Sequence, residues 1–358
     1  MCYSDKKFKS RIGILLKLFI KSHFLKIVIA PDKFKNSLTG IEFCNAVEGG
    51  IKSVLPKTDI VKLPLADGGD GTIEVVNYYL KGKVVSVEVN NPFFQPIIAS
   101  YLYAEKSQTA FIEMAEASGV KLLKSEQFDC KNATTLGTGE MIIDAIENGA
   151  KTIILGIGGS ATNDCGIGMA TALGYQFLDK NKKEVNPIGA NLSKIVAIDL
   201  TQVHPKIKDV TFKIACDVTN PLYGENGAAY IYGAQKGATD NDLILLDKGL
   251  KDFSKLLKSV FNIDAQSLKG AGAAGGMGIA SKVFLNGTLE RGIELIKNLA
   301  QFDAHIKNAD WIITGEGKLD NQTLSGKTIA GVLLSAKAKK IKVAAVGGFL
   351  WVVDLERK

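Results

Sequence analysis

Leu25-Lys-Ile-Val-Ile-Ala-Pro-Asp-Lys-Phe-Lys-Asn-Ser37 decides the fold. Six mostly apolar residues end in a proline, a carboxylate and two lysines. A short apolar run of this length, closed by turn residues, reads as a buried strand. Thr39 then stands where a helix cap is needed. Ile41, Val47, Ile51 and Val54 follow at helical spacing, which predicts a helix to about Leu55. Ile60 to Leu65 is a second apolar run, Asp67 to Gly71 a glycine-rich turn and Thr72 to Leu80 a second helix. Strand, loop, helix, strand, loop, helix is the grammar of a parallel sheet.

Downstream the pattern changes and then returns. Val84 to Val89, Ile97 to Tyr103 and Thr109 to Ile112 read as β-branched and aromatic strands separated by turns. Residues 138–148 read as a helix, Thr152 to Leu155 and Thr211 to Ala215 as strands, and 241–261 as a long helix. Simple alternation resumes with a helix at 288–299, a strand at Trp311 to Thr314, a helix at 325–338 and a strand at 342–346. The expected fold is therefore α/β. A flavodoxin- or Rossmann-like parallel-sheet domain, residues 25–85 plus 288–358, is built from both chain ends. A second α/β domain, residues 86–287, is inserted in it.

Composition narrows the function. The chain has 358 residues, 46% hydrophobic, with 37 glycines and a formal charge of +7. Residues 1–24 hold six basic residues and one acid, so the remainder carries only +2. No basic stripe interleaved with aromatics is visible, so nucleic acid is not an expected partner. Five scattered cysteines without a C-x-x-C pair argue against a disulfide framework or structural zinc, and for a reducing, cytoplasmic setting. Lys17 and Lys21 interrupt the apolar stretch Ile12 to Phe24, which is too short to span a membrane. Residues 1–24 read as a disordered extension or a misassigned start, with a surface anchor as the lesser reading.

Five polar, glycine-rich blocks carry the chemistry, and at least four of them follow strands. Asp32 to Ser37 offers a carboxylate and cations. Asp67-Gly-Gly-Asp-Gly-Thr72 offers two carboxylates spaced by glycines, whose N–H groups can approach a ligand closely. Gly156-Ile-Gly-Gly-Ser-Ala-Thr-Asn-Asp164 has the makings of a phosphate loop. It is not a Walker loop, a nucleophile elbow or a dinucleotide fingerprint, because Gly156-Ile-Gly158 is followed by Gly-Ser-Ala161. Asp217-Val-Thr-Asn-Pro221 with Lys236 behind it, and Gly315-Glu-Gly-Lys-Leu-Asp-Asn-Gln-Thr323, add further carboxylates and lysines. Each block alone could be a tight turn or a helix cap. Ala271 to Gly278 could be close-packed backbone or a wall against adenine or phosphate. Together they point to phosphoryl transfer, where catalysis is mainly positioning and charge neutralisation.

The chain resembles bacterial type I glycerate kinases. The matching runs are Lys26 to Lys35, Ala66 to Thr72, Gly137 to Glu140, Gly156 to Asp164, Ala215 to Leu222, Gly233 to Ala238 and Ile313 to Thr323. The resemblance spans about residues 25–348. It implies ATP with Mg²⁺, D-glycerate as the small-molecule substrate, and 2-phosphoglycerate favoured over 3-phosphoglycerate as product. No membrane or nucleic-acid partner is expected, and a homodimer is allowed. An inactive remnant that binds ATP or glycerate is the alternative. The expected substrate-binding residues are Asp32, Lys33, Lys35, Ser37 and Asp70. Gly158, Gly159, Ser160, Thr162, Asn163, Gly275 and Gly276 are expected on ATP and its phosphates. Asp217, with Asp164 or Glu316, is expected on the metal. Lys236 or Lys318 would neutralise the transferred phosphoryl, and Asp67 or Asp320 would act as base. The family usually has Ser, Gly, Glu, Gly and Arg where this chain has Lys33, Asn36, Asp70, Cys165 and Lys318. Family members usually start at the position of Leu25, which suggests a non-AUG start there. Phe349 to Lys358 departs from the family's continuation, so a lost terminal strand and helix and a lower stability are expected.

Overall fold

The structure, a computed structural model, describes residues 25–34, 37–68, 72–319 and 328–350. The expectations for the extension and for residues 351–358 lie outside the described residues. So do those for Lys35, Asn36, Asp70 and Asp320. The described strands, in chain order, are β1 (Lys26–Ile29), β2 (Asp59–Lys62), β3 (Lys83–Asn90), β4 (Pro96–Ala104), β5 (Thr109–Glu113) and β6 (Thr152–Gly156). They continue with β7 (Gln176–Leu178), β8 (Ala197–Asp199), β9 (Thr211–Ala215), β10 (Thr288–Glu290), β11 (Trp311–Leu319) and β12 (Lys342–Leu350). The chain divides into two compact units, Met1–Tyr79 with Ile293–Lys358, and Leu80–Gly292.

The first unit is built on a parallel sheet of order β12-β11-β1-β2. The chain leaves β1 toward β2 and later returns to the other side of β1 through β11. The strand order thus reverses between β1 and β11. In open α/β sheets, such a switch point opens a crevice beyond the carboxyl ends of the strands. Helix Gly40–Lys52 packs on this sheet through Phe43, Val47 and Ile51, four residues apart and all buried. A reciprocal cap starts that helix. The Glu42 N–H donates to Thr39 Oγ1 at 3.2 Å, and the Thr39 N–H donates to the Glu42 carboxylate at 2.8 Å. Phe34, from the loop after β1, stacks on Phe43 with ring centroids 4.7 Å apart, which fixes the loop against the helix.

The second unit holds a six-stranded sheet of order β10-β9-β6-β5-β4-β3, and β7 pairs with β8 apart from it. β5, β6, β9 and β10 run parallel. β3 and β4 form an antiparallel hairpin at one edge. A continuous core of Ile112, Ile153, Leu155, Ile214, Phe253 and Phe284, among others, fills the space between this sheet and its helices. Among the described residues, no helix is long and apolar enough to cross a membrane.

Three segments differ from the sequence expectation. The expected strand Trp311 to Thr314 runs on to Leu319, because Gly315 to Leu319 stays in register with β12 through Leu350. Glycine and charge read as strand breakers, but a continuous partner strand outweighs that preference. The expected helix 288–299 is two elements. Thr288 to Glu290 pairs with β9, and the helix begins at Gly292. Ala271 to Gly278 enters a helix, Ala273–Leu285, kinked at Ala274, Gly275 and Gly276, all at positive φ.

Candidate functional site

In the first unit, three carboxylates, Asp32, Asp67 and Glu316, lie near the carboxyl edge of the sheet, within electrostatic reach of Asp32. The parallel ladder continues past the strand ends: the Asp32 N–H donates to the Gly315 carbonyl at 2.8 Å, and the Leu65 N–H to the Pro31 carbonyl at 2.8 Å. This backbone pairing carries Asp32 between Glu316 on one side and Asp67 on the other. Asp32 Oδ1 accepts the Lys33 N–H at 2.7 Å, and its Oδ2 accepts the Thr328 hydroxyl at the start of helix Thr328–Lys339. Burial pushes the Asp32 carboxyl up to about 6, against the pull of those two hydrogen bonds. The negative charges of Asp67 and Glu316 add to the push. A carboxylate with proton affinity near neutrality, flanked by two others, has the electrostatics of an acid–base site. Lys33 is half-buried beside Asp32, while Ser37 and Lys318 are exposed. Glu316, expected on the metal, thus stands with Asp32 and Asp67.

In the second unit, the loop after β6 divides into a front and a back. Gly158 and Gly159 are exposed, and everything from Ser160 to Gly168 is buried. Gly159 has φ +71°. A Cβ built on Gly158 would meet nothing within 4 Å, so the protein's own packing does not require glycine there. A ligand brought against the backbone would. The turn is seated on the segment after β5. The Met114 N–H donates to the Gly156 carbonyl at 2.9 Å, the Val120 N–H to the Gly159 carbonyl at 3.0 Å, and the Ala161 N–H to the Ser118 carbonyl at 2.9 Å.

The back of this loop holds several residues expected at the site, and all of them are buried. Asp164, expected on a metal, is fully buried and spent on its own fold. Its Oδ2 accepts from the Thr135 hydroxyl (2.7 Å), the Thr135 N–H (2.8 Å) and the Gly168 N–H (3.2 Å), and its Oδ1 from the Gly166 N–H (3.1 Å). Burial raises its proton affinity and those four bonds oppose the rise. Thr162 and Asn163, expected on ATP, are 0% and 1% exposed. Gly275 and Gly276, also expected on ATP, are buried behind them. At φ +71° and +99° their backbones lie so close to the loop that a Cβ would come within 2.2 Å of the Thr162 carbonyl and 2.7 Å of Cys165 Cα. Packing against the loop requires glycine at both positions. Cys165 is buried at φ +51°.

Lys236 is 5% exposed, and its ammonium donates to Ser160 Oγ at 2.6 Å and to the Thr162 carbonyl at 2.9 Å. Burial pulls its proton affinity down to about 8, opposed by Cys130 and Asp164. Asp217 is exposed on the loop after β9, with one oxygen accepting the Gly292 N–H at 3.0 Å. Among the described residues, no three His, Cys, Asp or Glu side chains come together as a metal-holding group. His204 pairs with Glu147 at 2.8 Å, away from these loops. Thr328 is the residue the sequence reading passed over. A threonine opening a helix looks like an ordinary cap until the fold places it on Asp32.

The profile of the glycerate kinase family matches residues 27–353. Glycerate kinase of Bacillus cereus is 44% identical over 324 residues, covering 90% of this chain and 85% of that protein. Glycerate 2-kinase of Escherichia coli is 42% identical over 326 residues, covering 91% and 86%. A crystal structure of a protein described as glycerate kinase 2 from Salmonella typhimurium LT2 superposes with a TM-score of 0.87 at 40% identity. It covers 93% of this chain and 89% of that one.

Proposed function

Because this chain belongs to the glycerate kinase family, we propose that it phosphorylates D-glycerate with ATP, on the 2-hydroxyl. The observation that carries the mechanism is Asp32, held between Asp67 and Glu316 at the switch point with its carboxyl near neutral proton affinity. The Asp32–Asp67 pair takes the proton from the attacking hydroxyl as its oxygen bonds to the γ-phosphorus and the bond to ADP breaks. Lys33, with Ser37 at the same loop, holds the glycerate carboxylate, and the exposed Lys318 adds positive charge to that edge. Gly158 and Gly159 present backbone N–H groups to the triphosphate.

Mg²⁺, when bound with the nucleotide, neutralises phosphate charge and keeps the phosphates in line. Such an ion usually retains waters and takes one or two protein carboxylates besides phosphate oxygens, so it needs no three-carboxylate cage. The exposed Asp217 fits that part, and the saturated Asp164 does not. Nothing among the described residues favours the remnant reading.

The test is ADP release by the purified chain with Mg²⁺, ATP and D-glycerate, with L-glycerate as control. Turnover with D-glycerate supports the proposal, and NMR of the product assigns the hydroxyl. Nucleotide binding without turnover would favour the remnant.

A further inference from the structure

We propose that Lys236 is a positioning residue: it fixes the Gly158–Ser160 turn from behind and does not touch the nucleotide. This rests on the reading of that turn as a phosphate cradle. The sequence reading offers Lys236 or Lys318 to neutralise the transferred phosphoryl, and for Lys236 that role would require its head at the ligand-facing surface. Its head instead ends on Ser160 Oγ and the Thr162 carbonyl, inside the protein.

The lysine is itself held firmly. It closes the 3-10 turn Ala234–Lys236, where its N–H donates to the Gly233 carbonyl at 2.9 Å and its carbonyl accepts the Cys130 N–H at 3.1 Å. The next residue, Gly237, is at φ +88°, and a Cβ there would come within 2.0 Å of the Phe128 carbonyl. The root of the side chain therefore cannot drift. At the other end, Thr162 Oγ1 and both polar atoms of the Asn163 amide are buried with no hydrogen-bond partner. The side chains of Thr162 and Asn163 do not tie the loop down, so Lys236 supplies the side-chain tie between the turn and Asp164. A buried ammonium is tolerated only with good partners. Here those partners are the turn's Ser160 hydroxyl and the Thr162 carbonyl just after it, so the shape of the loop and the solvation of the charge depend on each other.

The experiment uses the full chain with Lys236→Met, Ser160→Ala and the double variant. Dissociation constants for Mg-ATP and Mg-ADP are measured, with hydrogen–deuterium exchange across residues 157–163 in the ligand-free protein. Positioning predicts faster exchange in that segment for both single variants. It also predicts that Lys236→Met weakens ATP and ADP alike by ten-fold or more. The double variant should be no worse than Lys236→Met, because both changes break one contact. Loss confined to ATP, losses that multiply in the double variant, or unchanged exchange would each overturn the proposal alone. A wild-type chain that binds neither nucleotide overturns the cradle reading and the proposal with it. Ser160→Ala removes a single oxygen, so the exchange test stands even where Lys236→Met does not fold.

Discussion

Asp32 is placed where its charge is costly. Its folded-state proton affinity of about 6 lies above the ordinary 3.8. The folded state therefore binds more protons than the unfolded one between those values, and the group's contribution to stability falls as pH rises through that window. Above pH 6 the full cost is present, about 3 kcal/mol for a shift of roughly two units. Asparagine cannot ionise, but it replaces one accepting oxygen with a donor, so it loses either the Lys33 N–H or the Thr328 hydroxyl, at about 1 kcal/mol. Asp32→Asn should then be more stable than wild type by about 1–2 kcal/mol at pH 7.5. It should show no gain at pH 4, and glycerate-dependent turnover should fall at least 100-fold. Urea unfolding at both pH values, beside the ADP-release assay, checks this. An equal stability change at both pH values would contradict the raised proton affinity. A stabilised but inactive variant is what a strained catalytic carboxylate gives.

The kinked entry to helix Ala273–Leu285 shows how one element sets the shape of a loop it does not belong to. Gly276 packs its backbone on Cys165, and Gly275 packs on Thr162 and Asn163. Gly276→Ala meets both penalties at once, φ +99° and a 2.7 Å approach to a backbone carbon. It should cost about 3 kcal/mol or more in denaturant unfolding, well beyond the ordinary Gly-to-Ala range. A loss under 1 kcal/mol would show that the kink is not fixed by this contact. The same element marks the limit of what sequence showed. β1, the capped helix Gly40–Lys52 and β9 were legible because their apolar period and flanking caps are local. The length of β11, the strand at Thr288 to Glu290 and the kink at Ala274 to Gly276 depend on partners far along the chain. Composition signals flexibility at such places, whereas contact supplies order. For the site, the loops themselves were legible. Which residues of Gly156 to Asp164 face outward was not, because glycine, serine, threonine and aspartate suit a ligand surface and a buried turn equally well.

At the scale of the whole molecule, the candidate chemistry is divided by unit. The carboxylates Asp32, Asp67 and Glu316 sit on the first unit's sheet, and the Gly158–Gly159 turn and Asp217 sit on the second's. Both sets lie at the carboxyl edges of parallel strands, where successive loops converge and a ligand meets backbone from several strands at once. Each unit has its own core, so under the proposed division of the site each ligand should draw a local response. Mg-ADP alone should slow hydrogen exchange in 156–162 and 216–220 and leave 30–34 and 65–68 unchanged. D-glycerate alone should do the reverse. A ligand at 100 times its dissociation constant stabilises what it binds by about 2.7 kcal/mol, so protection near 100-fold is expected wherever exchange requires opening of the bound unit. Protection of 30–34 by nucleotide alone would mean that the carboxylate cluster belongs to the nucleotide site. The base would then have to be sought elsewhere. Protection confined to the matching unit in each case would leave Asp32 and Asp67 as the groups positioned to take the glycerate proton.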